Sequence, residues 1–401
     1  MMPVDRHGPS GLAMTNSKTG RLAMTNSSRH CEPRSGVAIH RITIFCRIVD
    51  YFGDAGFCWR LALALKRLGA THVNLVIDRL NILDEIRGPE RLQGVTVLPW
   101  NVTQERWETH GVPIHEQCDL LIEAFACTPP PAYLQDLPAH AQWITLDYLA
   151  TEAWADTAHA KPSPAPRVNH PAAKTRRWWI PGFSKSTGGL LHGAWRHITK
   201  EEREAWRKKL AGRSIGNDTF LILGFGYDDA PWAALEQMLR NQLPVGFKDF
   251  AIWKPKGVDY SQQEFDEILQ ACDLNFVRGE DSFVRAHWAA AGPWKVPLVW
   301  QPYRQENKAH GHKLAGWLNQ IVRHPKLAAL QDLHWAFNGL RPAESHAGLS
   351  LESAWADFVG RFEESRDRLH KACLRLASEE SLESGLLRVA LDRRVAFGSS
   401  R

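Results

Sequence analysis

From Arg41 onward, short apolar β-prone runs alternate with amphipathic stretches. Ile42-Thr43-Ile44-Phe45-Cys46-Arg47-Ile48-Val49 is continuous enough for a strand buried on both faces, and it ends at Asp50. Gly53 and Gly56 then predict a tight loop. Phe57 to Leu68 reads as a helix with Gly69 as its C-cap. Further strands are expected at Val73 to Ile77, Val95 to Leu98, Asp119 to Ala124 and Trp143 to Leu146. Such β-loop-α-β alternation predicts a parallel sheet with helices on both faces.

A linker follows over residues 158–173, which carry Pro162, Pro164, Pro166 and Pro171. Glu201 to Leu210 looks helical. A second series then starts at Phe220-Leu221-Ile222-Leu223-Gly224. Strands are expected again at Phe250 to Trp253, Leu274 to Val277 and Pro297 to Trp300, and helices over Trp232 to Leu243, Gln262 to Ala271 and about Ser282 to Ala291. Leu351 to Arg393 is mostly helical in pattern. The chain therefore reads as α/β, two Rossmann-like domains facing each other across a cleft. The expected boundaries are 39–180 and 181–375, with a C-terminal helical tail over 376–401. Residues 1–38 are different. They are polar and aperiodic, and they repeat Leu-Ala-Met-Thr-Asn-Ser at 12–17 and 22–27, which reads as a disordered extension.

Composition narrows the function. The net charge is only +5 over 401 residues with no basic block, which argues against a nucleic-acid binder. No apolar run approaches the roughly 18–20 residues of a membrane span. Seven cysteines without a Cys-x-x-Cys pair fit reduced thiols in the cytoplasm and give no zinc site.

Four segments carry candidate chemistry. Asp50-Tyr51-Phe52-Gly53-Asp54 follows a strand and precedes a helix, the edge at which open α/β sheets bind ligands. Its two carboxylates can hold a nucleophile and take its proton, or Asp54 can simply cap the helix. Arg278-Gly279-Glu280-Asp281-Ser282 runs from a strand into a helix start. Free N–H groups there suit a diphosphate, and an ordinary N-cap at Asp281 or Ser282 is the alternative. Pro181-Gly182-Phe183 with Gly188-Gly189 offers an aromatic ring and close backbone approach, or merely an interdomain turn. Gln305 and Glu306, after a second-half strand, can bond sugar hydroxyls. His310 and His312 are poorly spaced for a metal.

Taken together, these segments resemble one family. Phe45-Cys46-Arg47-Ile48-Val49-Asp50-Tyr51-Phe52-Gly53-Asp54-Ala55-Gly56-Phe57-Cys58-Trp59-Arg60-Leu61 is similar to the opening motif of the bacterial elongation factor P arginine rhamnosyltransferases, EarP. Glu123-Ala124-Phe125-Ala126-Cys127, Pro181-Gly182-Phe183 with Thr187-Gly188-Gly189-Leu190, and Cys272 to Phe283 resemble its later motifs, in the same order. The resemblance implies a GT-B fold, with acceptor binding on the N-terminal domain and nucleotide sugar on the C-terminal one. It implies inverting transfer of L-rhamnose from dTDP-β-L-rhamnose to an arginine of elongation factor P, without a metal or other cofactor. Carried over by position, Asp50, Asp54 and Glu280 are the critical carboxylates, with Asp54 as general base. Asp281 and Ser282 would meet the diphosphate, Phe183 the thymine, and Gln262 the nucleotide. Tyr260 would replace an aromatic that the family places at Asp259. Gly188, Gly189 and Arg278 complete the expected donor site. Tyr51 stands where the family usually has Asn. The rival readings are a GT-B transferase with another nucleotide sugar or acceptor, and a non-catalytic protein that docks elongation factor P.

Overall fold

The computed structural model describes residues 41–88, 92–100, 118–135, 137–163, 172–173, 176–257, 260–305, 309–341 and 349–391. The expected extension over 1–38 lies outside these residues, as do Pro164, Pro166, Pro171, Asp259 and Glu306.

The first half contains β1 (Arg41–Cys46), α1 (Tyr51–Arg67), β2 (His72–Ile77), α2 (Leu80–Ile86), β3 (Val95–Pro99), β4 (Cys118–Ala124), α3 (Pro131–Gln135), β5 (Gln142–Leu146), α4 (Trp154–Ala158) and β6 (Arg177–Trp179). Its sheet runs β3-β2-β1-β4-β5-β6, and every neighbouring pair is parallel. β1 sits mid-sheet, with Ile44 beside Leu75 on one flank and Ile122 on the other. Its apolar run is continuous because helices cover both faces.

The second half contains α5 (Lys200–Ala211), β7 (Thr219–Gly224), α6 (Trp232–Asn241), β8 (Asp249–Trp253), α7 (Gln262–Ala271), β9 (Leu274–Arg278), α8 (Asp281–Ala291), β10 (Leu298–Gln301), α9 (Ala309–Ile321), α10 (Ala328–Phe337), α11 (Leu351–Gly360) and α12 (Phe362–Ala377). Its sheet runs β10-β9-β7-β8, again parallel. Local chemistry starts two helices cleanly. Thr199 with Glu202 and Ser261 with Glu264 form reciprocal capping boxes ahead of α5 and α7.

The structure departs from the sequence reading in three places. Gly53 and Gly56 are not in a loop, because α1 starts at Tyr51 and contains both. They are small for want of room. A Cβ on Gly53 would lie 2.6 Å from Asp50 Oδ2, and one on Gly56 would lie 2.4 Å from Gln262 Nε2. The elements α2, α3, α4, β6, α9 and α10 lie where the sequence pattern predicts none. The tail is three helices, and the last, α13 (Leu382–Leu391), returns to the first half. There Leu382, Leu386, Leu387 and Ala390 join the apolar core with Ile44, Leu61 and Leu65.

Candidate active site

Each sheet has a point where its strand order reverses, and the C-terminal ends of the strands leave a crevice there. In the first half the reversal lies between β1 and β4, which lead into Asp50 and Phe125. In the second half it lies between β7 and β9, which lead into Tyr227 and Glu280. The two crevices share one cavity of about 590 Å³, which these four residues line together with Asp54, Tyr148, Asp281, Trp300 and Lys313. The topology thus brings the acidic motif of the first half face to face with that of the second.

Asp50 is the N-cap residue of α1, yet its side chain makes no capping bond and is exposed. Asp54, one turn on, is 2% exposed. Its Oδ2 accepts the backbone N–H of Val49 at 2.7 Å and of Asp50 at 2.8 Å. The capping alternative is therefore half right. Asp54 reaches back to orphan amides ahead of the helix, which fixes its rotamer while it still lines the cavity. Tyr148 lines the same cavity as this carboxylate. Burial pushes the Asp54 carboxyl above the ordinary aspartate range, against the lowering pull of the two amides. Its proton affinity is thereby raised. Burial raises the Tyr148 hydroxyl too, and the nearby Asp54 and Glu280 carboxylates add to the effect, so that it stays a donor.

Glu280 is the N-cap residue of α8 and also makes no side-chain cap. Neither Asp281 nor Ser282 fills that position, as both lie within the helix. The Glu280 carboxylate instead spans the cavity. Oε2 accepts the Leu149 N–H at 2.8 Å, and Oε1 pairs with Lys313 Nζ at 2.5 Å. Burial raises its pKa, opposed by Lys313. The Trp300 indole N–H, donated to the Gly279 carbonyl at 2.8 Å, pins the turn before it. Gly279 itself has φ +63°, a conformation that favours glycine.

The remaining expected residues fall into two groups. Asp281 lines the cavity. Gln262 opens α7 against Gly56, at the seam between the halves. The others point elsewhere. Ser282 Oγ donates to the Arg278 carbonyl at 2.5 Å. Arg278 donates to the Gly226 carbonyl at 3.2 Å and lies over the rings of Phe225 and Tyr227. Phe183 is 6% exposed and packs on Phe283 and His287. Tyr260 stacks on Phe265 and borders a separate pocket with Trp206, Trp253 and Lys254. A Cβ on Gly188 would meet Trp179 Nε1 at 2.4 Å, and one on Gly189, with φ +77°, would meet the Glu380 carbonyl at 2.5 Å. Those two glycines serve chain packing.

Three cavity residues escaped the sequence reading. Tyr148 and Asp147 follow β5 as Asp50 follows β1, so the strand-end rule could have found them. Lys313 sits in α9, which had no assignment. Gln305 and His310 do line the cavity, with the Gln305 N–H donated to His310 Nδ1 at 3.2 Å. Among the described residues no group of three or more His, Cys, Asp or Glu side chains could hold a metal, and no helix is long and apolar enough to cross a membrane.

Comparison with known proteins places this geometry. Residues 42–246 and 258–390 match the sequence model of a family described as "Elongation-Factor P (EF-P) rhamnosyltransferase EarP". A protein-arginine rhamnosyltransferase of Pseudomonas putida is 32% identical over 311 residues, covering 69% of this chain and 80% of that protein. One from Pseudomonas aeruginosa is 31% identical over 320 residues, with the same coverage. A solved structure described as "Structural basis for EarP-mediated arginine glycosylation of translation elongation factor EF-P" superposes with a TM-score of 0.51 at 20% identity, over 87% of this chain and 97% of that one. Arabidopsis thaliana UGT89C1 complexed with quercetin gives 0.50 at 12% identity, over 88% and 99%. The fold is thus the GT-B arrangement of glycosyltransferases.

Proposed function

Since this chain belongs to the EarP family of elongation factor P rhamnosyltransferases, we propose that it moves L-rhamnose from dTDP-β-L-rhamnose to an arginine side chain of elongation factor P. The observation that carries the reading is the pair Asp50 and Asp54 facing Glu280 across one cavity. An arginine acceptor is a poor nucleophile, because its guanidinium stays protonated at physiological pH. Two carboxylates suit it, since they hold the guanidinium plane and draw positive charge away from one nitrogen.

In this scheme Asp50, unencumbered by capping, grips the guanidinium. Asp54, held rigid by its two amides and made more basic by burial, takes the proton as one Nη attacks C1 of the sugar. The C1–oxygen bond breaks with inversion, and its electron pair leaves on dTDP. The product guanidinium keeps one positive charge. The backbone N–H groups of the first turn of α8, beside Gly279 and Asp281, offer the departing diphosphate an anion site. Lys313 supplies a cation at the same wall. No step is assigned to a metal. The free thiols, buried at Cys46, Cys58, Cys118, Cys272 and Cys373, suit a reducing cytoplasm.

Intact-mass measurement of elongation factor P after incubation with enzyme and dTDP-rhamnose tests the reading. One added deoxyhexose on an arginine is expected. An unmodified acceptor with dTDP-rhamnose, but a modified one with a UDP- or GDP-sugar, would overturn the donor. No transfer from any donor, with binding of elongation factor P intact, would favour the docking role.

A further inference from the structure

The acidic motif and the second half are joined by a buried ion network centred on Arg60. Arg60 lies further along α1 than Asp54 and is 8% exposed. Its Nη1 meets Asp266 Oδ2 at 2.8 Å, and its Nη2 meets Asp266 Oδ1 at 3.1 Å and the Gln262 carbonyl at 3.1 Å, all on α7. Its Nε lies 3.4 Å from Asp281 Oδ2 on α8. One guanidinium therefore ties the helix that follows Asp50 and carries Asp54 to two helices of the second half, of which α8 starts at the cavity. A second arginine shares the hub. Arg285 Nε and Nη2 meet Asp266 at 2.9 and 2.7 Å, and its Nη1 donates to the His192 carbonyl at 2.5 Å. Arg60 and Arg285 thus grip one buried carboxylate, but only Arg60 also reaches Asp281.

That asymmetry has a consequence for an anionic donor. Asp281 lines the cavity at the start of α8, where a diphosphate gains from free N–H groups and is repelled by a nearby carboxylate. We infer that Arg60 is a positioning residue for transfer: it holds Asp281 turned toward itself and neutralised, so that the α8 N-terminus can accept the nucleotide diphosphate, and it sets α1 in register with that half. The inference rests on the donor reading above. Arg60 touches no substrate in this arrangement and acts through Asp281 and Asp266.

The two arginines supply their own control. Removing either one leaves Asp266 paired with the other, so neither variant strands a buried charge without a partner. Only loss of Arg60 strips Asp281. dTDP binding by calorimetry and initial rates at varied donor concentration should therefore be compared for the parent, Arg60→Met and Arg285→Met. The expected result is dTDP affinity reduced roughly tenfold in Arg60→Met, because the Asp281 carboxylate beside the diphosphate loses its neighbouring cation. Donor KM should rise in step, while Arg285→Met binds dTDP as the parent does. Arg60→Lys, which keeps a cation near Asp281, should recover part of the affinity. If Arg60→Met is recovered only unfolded, the lysine variants at both positions carry the comparison. Equal losses at the two positions, or unchanged affinity on loss of Arg60, would overturn the inference. A parent that binds no dTDP would overturn the donor reading instead.

Discussion

Glu280 of the second half accepts the backbone N–H of Leu149 of the first half at 2.8 Å, while its other oxygen pairs with Lys313 at 2.5 Å. The loop that carries Asp147 and Tyr148 is therefore held against the cavity by a carboxylate. Glu280→Gln keeps an oxygen for Leu149 but loses the ion pair. Turnover is expected to fall by at least about tenfold with the fold retained, since a charge-assisted bond becomes a neutral one. Initial rates beside a thermal melt check this, and parental rates would remove Glu280 from the machinery.

Asp54→Asn should leave folding intact, because the amide oxygen can still receive the Val49 and Asp50 N–H groups. Turnover should drop by roughly 10²–10⁴, the usual weight of a general base. Unchanged turnover in a folded variant would rule out the base assignment.

The pH profile follows from burial. The active form of Asp54 is ionised, and its pKa lies above that of an ordinary aspartate. kcat/KM should therefore rise with pH along an acid limb displaced above the free-aspartate value of about 4. The stability effect has the opposite sense. Folded Asp54 and Glu280 hold protons more tightly than the unfolded chain, so their contribution declines as pH rises through the window from their ordinary values to their raised ones. A kinetic acid limb at or below pH 4 would contradict the base assignment.

Gly56→Ala separates stability from donor binding. In mid-helix the change favours the fold by up to about 1 kcal/mol. The new Cβ, however, would sit 2.4 Å from Gln262 Nε2 and displace that amide. A melting temperature no lower than the parent's, with donor KM raised several-fold, is expected if Gln262 contacts the nucleotide. An unaltered KM would free Gln262 from that role.

Gly189→Ala should destabilise by about 1–3 kcal/mol through strain alone. The residue has φ +77°, and a Cβ would press on the Glu380 carbonyl at 2.5 Å. Chemical denaturation measures this. Loss of donor affinity without loss of stability would restore the binding role that the sequence suggested.

Much of the fold was legible because parallel strands buried on both faces carry long apolar runs. β1, β7 and β9 could be read from those runs, and α7 spans the expected Gln262 to Ala271, with a capping box of Ser261 and Glu264 ahead of it in the structure. The two acidic motifs were legible because each follows such a strand. Other features were hidden by distance along the chain. Nothing near Phe183 announces that Phe283 and His287 will cover it, and nothing near Gly189 announces the Glu380 carbonyl. Tyr260 is expected at the donor as the neighbour of Asp259, where the family has an aromatic, yet its ring stacks on Phe265 instead. The start of α1 was misplaced because glycine ordinarily weakens a helix. Here two glycines in its first turns give room to Asp50 and Gln262.

The polypeptide leaves the first half after β6 and comes back to it with α13, so two separate strands of chain bridge the halves. A single bridge would permit swivelling in any direction, whereas two crossing points favour rotation about the line that joins them. Severing the chain before Leu382 would remove one of those crossings and lay bare leucine-lined surface on the first half, so that half is not expected to survive as a well-behaved fragment.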